Sequence, residues 1–165
     1  NYIAENLFKF NGAIANKDTG TVVSAKKFYD SLFATFMQPN QLPILNDGSG
    51  LSRRNKASAK SIVQLLEKAS QSHFFKSYLS TLSIAGIDGT LSKRMRGTIA
   101  TNNLMAKTGT HRDVSSLAGY TNTLDGEIFI FAFVFNGPNV GIYKQLENDI
   151  SLIISNYTNN IHDAK

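Results

Sequence analysis

The sequence contains no cysteine and no tryptophan. Without cysteine the chain can form no disulfide bond and no thiolate metal site, and it cannot use a thiol as a nucleophile. Its histidines, His73, His111 and His162, lack the spacing of a metal-binding motif. We therefore expect neither a metal ion nor a cofactor.

Long apolar runs are also missing. No segment approaches the ~20 consecutive apolar residues of a transmembrane helix, and the N-terminus lacks the basic and then apolar layout of a secretory signal peptide. No membrane span is expected. The first residue is Asn1 rather than Met, which predicts that the chain begins after processing or truncation.

Acidic residues are fewer than basic ones: 12 Asp and Glu against 17 Lys and Arg give a net charge of +5. The basic residues are spread along the chain rather than gathered in a nucleic-acid-binding arm, so the charge indicates an anionic partner without identifying it. Residues 89–112 include no acid. Their Lys93, Arg94, Arg96 and Arg112 suit either an anionic ligand or a solvated surface.

The length of 165 residues, of which 42% are apolar, is enough for one hydrophobic core, so residues 1–165 are expected to form part of a single domain. In the first half, apolar periodicity predicts helices, and Gly12 is expected to break the first of them. Ser58 is a suitable N-cap for a later one. The predicted helices cover residues 2–10, 21–37, 59–70 and 72–82.

The second half predicts an antiparallel sheet. Strands are expected over residues 103–110, 113–122 and 127–136, and the last two are joined at Asp125-Gly126, a favoured hairpin dipeptide. Residues 128–135 are apolar at every position, which is typical of a central strand covered on both faces.

A final helix is predicted over residues 139–157, with apolar side chains at helical spacing that are expected to cover one face of the sheet. These side chains are Ile142, Leu146, Ile150, Ile153, Ile154 and Tyr157. Helices, a three-strand meander and a closing helix together predict an α/β (α+β) fold.

Lys107-Thr108-Gly109 lies at the end of a predicted strand. An edge strand can align an extended peptide through main-chain hydrogen bonds, and an ammonium with a hydroxyl can hold a terminal carboxylate. Glycine keeps the backbone open to a ligand. By itself so short a motif also fits an exposed strand end with a solvated lysine.

Further segments surround this motif in a fixed order. The sequence as a whole resembles the low-molecular-mass penicillin-binding proteins of the D-Ala-D-Ala carboxypeptidase/endopeptidase type, whose signatures include K-T-G, D-G-S-G-L-S-R and A-G-x-D-G-T-L. The matching segments here are Asn1–Leu7, Asp47–Arg53, Ala85–Leu91, Ala106–Thr110, Ser116–Tyr120, Asp125-Gly126 and Phe131–Gly137.

The resemblance implies a serine β-lactamase/penicillin-binding transpeptidase-like fold, with an antiparallel sheet packed with helices. It implies that Asn1 is the Asn of the family's S-x-N motif, so that residues 1–165 are the C-terminal part of that domain. The family's nucleophilic serine and its lysine form an S-x-x-K motif that precedes S-x-N, and the chain does not contain it at that position.

The implied reaction is attack of the serine on the peptide bond between two D-Ala residues of a peptidoglycan stem peptide, through an acyl-enzyme that penicillins also form. Lys107 would be a catalytic residue that biases the local electric field, and together with Thr108 it would bind the substrate carboxylate. Gly109 would permit close approach. The backbone N–H of Thr110 would stabilise the oxyanion. Asn1 would contact the amide side of the substrate.

Three other residues are candidates for the nucleophile or the base. Ser24 begins an S-x-x-K string but lies after the S-x-N position, and Ser49 lies between two glycines in a turn-forming run. His111 follows Gly109 closely and suits either a base or a residue that leads into a turn.

Two rival functions stay open: a penicillin-binding-like module that binds cell-wall peptides without chemistry, and an unrelated basic domain that binds nucleic acid. The resemblance favours peptidoglycan peptides and β-lactams as partners over nucleic acid. It implies a periplasmic or outer-surface location.

A further partner is expected because the family's fold wraps its sheet around the helix that bears the nucleophile. Without that helix, the inner faces of Phe129, Phe131 and Phe133 and the terminal helix are expected to be partly uncovered. Such surface favours binding of the missing N-terminal segment or self-association.

Overall fold

A computed structural model describes residues 1–159 of the chain. They divide into two compact units, Asn1–Gln64 and the residues from Leu65 onwards. The expectation that residues 1–165 belong to one domain stays a prediction. No helix among the described residues is both long and apolar enough to cross a membrane.

The first unit is built around two helices, α1 (Tyr2–Asn16) and α2 (Val22–Phe33). The prediction that Gly12 breaks α1 is wrong. Gly12 is buried inside the helix, and a Cβ at this position would overlap the backbone of Ser24 and Ala25 on α2. The glycine therefore permits a close helix crossing, and the helix ends at Lys17, which adopts a left-handed conformation.

The predicted second helix is shorter than expected. It ends at Phe33, and the residues to Met37 form turns before the 3₁₀ turn Pro39–Gln41. The predicted N-cap of α3 (Ala59–Ser70) is confirmed, because the Ser58 hydroxyl accepts a hydrogen bond from the Ser61 N–H. Residue Leu65 of α3 marks the start of the second unit.

The second unit carries the sheet. Helix α4 is limited to Phe75–Leu79, so the expected helix over residues 72–82 is only partly formed. The strands are β1 (Ser83–Ile84), β2 (Met105–His111), β3 (Val114–Asn122) and β4 (Ile128–Asn136), and helix α5 (Val140–Ser155) follows them. They form one four-stranded antiparallel sheet in the order β1-β2-β3-β4. The predicted three-strand meander is confirmed. Strand β1 was not predicted, because a strand of two residues gives no periodic pattern in the sequence.

The strand register assigns the side chains of the sheet to two faces. Lys107, Ala118 and Ala132 are paired across β2, β3 and β4, so they share one face. The opposite face holds Ala106, Leu117, Phe131 and their alternate neighbours, and it contributes to the hydrophobic core. Leu91 and Leu104, from the segment between β1 and β2, are fully buried in the same core.

Helix α5 covers the core face, but with a different side from the one its apolar residues predicted. Ile142 and Ile153 are 59% and 69% exposed, whereas Glu147, Ser151 and Ser155 are fully buried. The cause is polar groups on the sheet: Ser115 donates to Glu147 at 2.7 Å, and the hydroxyls of Thr121 and Ser155 lie 2.7 Å apart. The expectation that the Ile142 stripe covers the sheet is therefore only partly confirmed: Ile154 packs against the core, whereas Ile142, Leu146 and Ile153 are exposed.

The apolar strand β4 is also placed differently from the expectation. It was predicted to be central, but among the described residues it pairs only with β3 and forms an edge of the sheet. Its aromatic face is not left open, since Phe131 is 5% exposed and Phe129 and Phe133 are partly buried. The ring of Phe129 lies 5.3 Å from that of Tyr157, just past the end of α5.

Candidate active site

The K-T-G residues lie on β2, beside an edge that is only partly paired. Strand β1 pairs Ser83 with Ala106 and Ile84 with Met105, and it does not extend further. From Lys107 to Thr110 no described strand pairs with the outer edge of β2, although β3 pairs with its inner edge throughout. The structure therefore offers a short length of edge strand that can accept an extended peptide.

The side chain of Lys107 is exposed on the face opposite the core. Its neighbours across the sheet are Ala118 and Ala132, whose small side chains leave space beside the ammonium group. The ammonium donates to the backbone carbonyl of Thr108 at 2.6 Å. This cation on an open strand edge suits the carboxylate of a peptide.

Gly109 has a packing reason that the sequence did not reveal. A Cβ at Gly109 would overlap the hydroxyl of Ser116, its partner on β3. Glycine therefore leaves room for the Ser116 hydroxyl in its present position beside the K-T-G backbone. Thr110 is exposed and pairs with Ser115. The role of its N–H in oxyanion stabilisation stays a prediction.

The hydroxyl of Thr108 belongs to a chain of hydroxyl groups. It donates to the Thr90 hydroxyl at 2.9 Å, and Thr90 lies in the segment Ala85–Leu91 that sequence analysis singled out without giving it a role. The Thr90 hydroxyl lies 3.4 Å from that of Ser83 on β1. Sequence spacing alone could not reveal this contact, because residues 90 and 108 are joined by an irregular segment.

Asn1 lies in the first unit, where it is the N-cap of α1 and its carbonyl accepts the N–H of Glu5 at 3.0 Å. Its side chain makes no capping hydrogen bond. Lys107, Thr108, Gly109 and Thr110 lie together in the second unit. The role expected for Asn1 towards a substrate therefore stays a prediction.

The D-G-S-G-L-S-R segment forms a turn around Asp47. The Asp47 carboxylate accepts hydrogen bonds from the Ser49 hydroxyl at 2.9 Å, the Ser52 N–H at 2.8 Å and the Asn55 amide. Burial acts to raise the pKa of Asp47, but these hydrogen bonds together hold its pKa below the ordinary value. Ser49 is thus committed to a turn, and its partner is the carboxylate of Asp47 rather than a lysine or a histidine.

Ser24 is equally committed to structure. It is 5% exposed, and its hydroxyl accepts the N–H of Thr21 at 2.9 Å while the Ser24 N–H donates to Thr21 Oγ1. The two residues form the capping box of α2. Lys26, which precedes the lysine of the S-x-x-K string, pairs with Asp30 at 2.8 Å.

The basic stretch contains one residue that is not available to a ligand. Arg94 donates to the buried carboxylate of Glu147 at 2.9 Å, to the Asn148 side chain and to the Lys144 carbonyl. Its side chain is only 14% exposed. Arg94 therefore fixes the segment after β1 to α5. The sequence analysis did not single out Glu147. The one signal for its burial is its spacing from Ser151 and Ser155, which places all three on one face of the helix.

His111 is the last residue of β2, next to the tight turn Arg112-Asp113 that leads into β3. This position agrees with a residue that leads into a turn. Within residues 1–159 no group of three or more His, Asp or Glu side chains is arranged to hold a metal ion.

Comparison with known proteins gives the class of this fold. The structure of penicillin-binding protein 4 from Haemophilus influenzae matches with a TM-score of 0.83 at 28% identity, over 95% of this chain and 37% of that one. The same protein in complex with a β-lactam matches with a TM-score of 0.75 at 29% identity, over 91% of this chain and 38% of that one. The fold is that of the penicillin-binding, transpeptidase-like proteins.

The family follows from sequence. The model of the D-Ala-D-Ala carboxypeptidase 3 (S13) family matches residues 1–157, so the chain belongs to that family. It is 38% identical over 119 residues to the D-alanyl-D-alanine carboxypeptidase of Actinomadura sp. strain R39, which is 69% of this chain. The match spans 22% of that relative's length, about a fifth. The resemblance drawn from the sequence motifs is confirmed.

Proposed function

We propose that this chain is part of a serine-type D-Ala-D-Ala carboxypeptidase that acts on peptidoglycan stem peptides. In this proposal the outer edge of β2, from Lys107 to Thr110, binds the C-terminal end of the substrate. The observation that carries it is the shape of that edge. Strand β1 stops opposite Ala106, immediately before an exposed lysine and an unpaired length of strand.

The chemistry of this edge fits a free carboxylate. Lys107 supplies a positive charge on one face of β2, and Thr108 and Thr110, two residues apart on the other face, supply hydroxyl hydrogen-bond donors. The main chain of β2 can pair with an extended peptide. A peptide that ends in D-Ala presents a carboxylate and an amide in the order that this arrangement would receive.

The reacting serine is proposed to lie in sequence outside these residues. Ser24 and Ser49, the two alternatives within the chain, are held in a capping box and an aspartate-centred turn. The matched relatives are several times longer than the matched segment, which leaves room for an S-x-x-K motif elsewhere in the protein. An acyl-enzyme on that serine would be the intermediate, and a β-lactam would form it too.

The substrate also determines the proposed compartment. Peptidoglycan lies outside the cytoplasmic membrane, so we propose a periplasmic or outer-surface location. Fractionation of cells and immunodetection of the protein would test it. Recovery with the cytoplasmic fraction alone would contradict this part of the proposal.

The direct test is hydrolysis of a peptide that ends in D-Ala-D-Ala by the full-length protein, with release of D-alanine measured. We expect release by the wild type and its loss with Lys107→Ala. Lys93→Ala, which removes a lysine from outside the β2 edge, is the matched control and should retain activity. Binding of the peptide without release of D-alanine would instead support the non-catalytic cell-wall-binding module.

A second experiment tests where the nucleophile lies. We expect that the isolated 165-residue chain is not labelled covalently by a fluorescent penicillin, whereas the full-length protein is labelled. Labelling of the isolated chain would contradict the proposal. Peptide mapping would then show whether Ser24 or Ser49 carries the label.

A further inference from the structure

The segment Ala85–Leu91 is held in place by hydrogen bonds, and the proposed function gives it no role. Leu91 is fully buried in the core, and its carbonyl accepts the Gly86 N–H at 3.0 Å. The Asp88 carboxylate accepts the N–H of Ile84 at 2.7 Å. The segment is thereby fixed at both ends, and the exposed residue Thr90 is held beside β2.

Thr90 is aligned by β1 as well. Its N–H donates to the Ser83 hydroxyl at 3.3 Å, and Ser83 is paired with Ala106, the residue before the K-T-G motif. Gly89 adopts a left-handed conformation at φ 52°, and a Cβ there would overlap the Ser83 side chain. The glycine therefore allows Thr90 and Ser83 to approach each other.

We propose that Thr90 is a positioning residue for Thr108 in the recognition of the substrate carboxylate. The inference rests on the proposed function of the β2 edge. Its central observation is the hydrogen bond of 2.9 Å between the Thr108 and Thr90 hydroxyls. Thr90 holds the Thr108 side chain in one orientation and determines which way its proton points.

The proton arrangement explains why a second hydroxyl is useful. In the described structure the Thr108 hydroxyl donates to the Thr90 hydroxyl. A carboxylate has only acceptor atoms, so Thr108 must turn its proton towards the ligand to bind it. Thr90 can then donate to the Thr108 oxygen, because a hydroxyl both donates and accepts. The pair stays hydrogen-bonded in both states.

The test is the kinetics of the full-length protein with Thr90→Val, which keeps the shape of threonine and removes its hydroxyl. The substrate is a D-Ala-D-Ala peptide with a free carboxylate. The carboxylate is bound in the ground state and in the transition state alike, so its weakened binding raises KM with kcat unchanged. We expect KM to rise about five- to tenfold, the loss of roughly one hydrogen bond.

Controls separate a positioning role from a purely structural one. Thr90→Ser retains the hydroxyl and should restore a KM close to that of the wild type. Thr81→Val removes an exposed hydroxyl that donates only to the Tyr78 carbonyl in the described structure, and it should leave KM unchanged. A folding defect would lower the active fraction, and therefore kcat, rather than raise KM.

The outcomes distinguish this inference from the proposed function. Unchanged KM with Thr90→Val, together with a raised KM for Thr108→Val, would overturn the role of Thr90 and leave the function intact. Equal rises for Thr90→Val and Thr90→Ser would overturn it too, because the hydroxyl would not be the cause. If Thr108→Val has no effect, the role of Thr108 in binding the carboxylate fails, and the inference fails with it while the activity stands. If the wild type has no activity, the proposed function itself fails.

Discussion

Glu147 shows how one buried charge ties distant segments of the second unit together. Its carboxylate is fully buried and receives hydrogen bonds from Arg94 at 2.9 Å and from Ser115 at 2.7 Å. Removal of one partner of such a pair leaves a charge without compensation, which is costly even where the pair itself adds little to stability. The contact joins the segment after β1, strand β3 and helix α5.

The variant Arg94→Met is therefore expected to lower the free energy of unfolding by about 3–5 kcal/mol, because it leaves the Glu147 carboxylate buried without its cation. Urea denaturation followed by circular dichroism measures this change. Lys26→Met, which breaks the exposed pair with Asp30, is the comparison and should cost less than about 0.5 kcal/mol. Equal effects of the two variants would contradict the structural role given to Arg94.

Acid should weaken the first unit through Asp47 and Glu5. The hydrogen bond from Lys9, followed by that from the Gly48 N–H, lowers the pKa of Glu5 below 4.5, its ordinary value, and the turn lowers the pKa of Asp47 below 3.8. A carboxylate whose pKa is lower in the folded state adds stability above its ordinary pKa and loses it as the pH falls through the folded value. Stability should therefore be retained at pH 5–7 and decline below about 4.5.

The variant Asp47→Asn tests whether Asp47 contributes to the loss of stability in acid. The variant keeps the size of the side chain but cannot accept at both of its terminal atoms, so it should be less stable than the wild type at neutral pH by about 1–2 kcal/mol. The difference from the wild type should shrink towards pH 3 as Asp47 itself is protonated. Asp18→Asn, an exposed carboxylate of the same unit, is the control. A difference that does not change with pH would contradict the account.

At the scale of elements, the sequence predicted strands more accurately than faces. The continuous apolar run of residues 128–135 and the Asp125-Gly126 turn located β3 and β4 within a residue or two, because these signals are local. The buried face of α5 was predicted only in part, because amphipathic periodicity assumes that the sheet the helix covers is apolar. Here the sheet presents Ser115 and Thr121, and their partners on the helix are polar.

The predicted central position of β4 in the sheet was wrong for a related reason. Eight consecutive apolar residues in β4 predicted strands on both sides, but strand order depends on pairings between segments distant in sequence. Gly12 was misassigned because a glycine that breaks a helix and a glycine that permits a helix crossing look the same in sequence. The K-T-G motif was located correctly, whereas its contact with Thr90 required the fold.

Helix α5 provides a test at this scale. Ile153 is 69% exposed and Ser151 is fully buried with no hydrogen-bond partner for its hydroxyl among the described residues. We expect Ile153→Gln to change the free energy of unfolding by less than about 0.5 kcal/mol. Ser151→Leu should cost about 1–3 kcal/mol by overpacking, although it makes the helix more apolar. Thermal denaturation measures the stability of both variants. A larger loss of stability for Ile153→Gln than for Ser151→Leu would contradict the orientation of α5.

At the scale of the whole molecule, the chain is a family member that spans about a fifth of a curated relative, matching 22% of its length. The β2 edge holds a lysine, two hydroxyls and an unpaired length of backbone, and we propose that this edge binds the substrate. The proposed reaction needs a nucleophile that this surface does not supply. We therefore propose that β2 recognises the substrate and that a serine elsewhere in the protein reacts with it.

The rate at which a fluorescent penicillin acylates the full-length protein tests that claim most directly. The measurement compares the wild type with Lys107→Ala and Lys93→Ala. The account predicts that Lys107→Ala lowers the second-order rate constant about 100-fold or more, by loss of electrostatic stabilisation in the site, and that Lys93→Ala does not. Equal rate constants for Lys107→Ala and the wild type would contradict it.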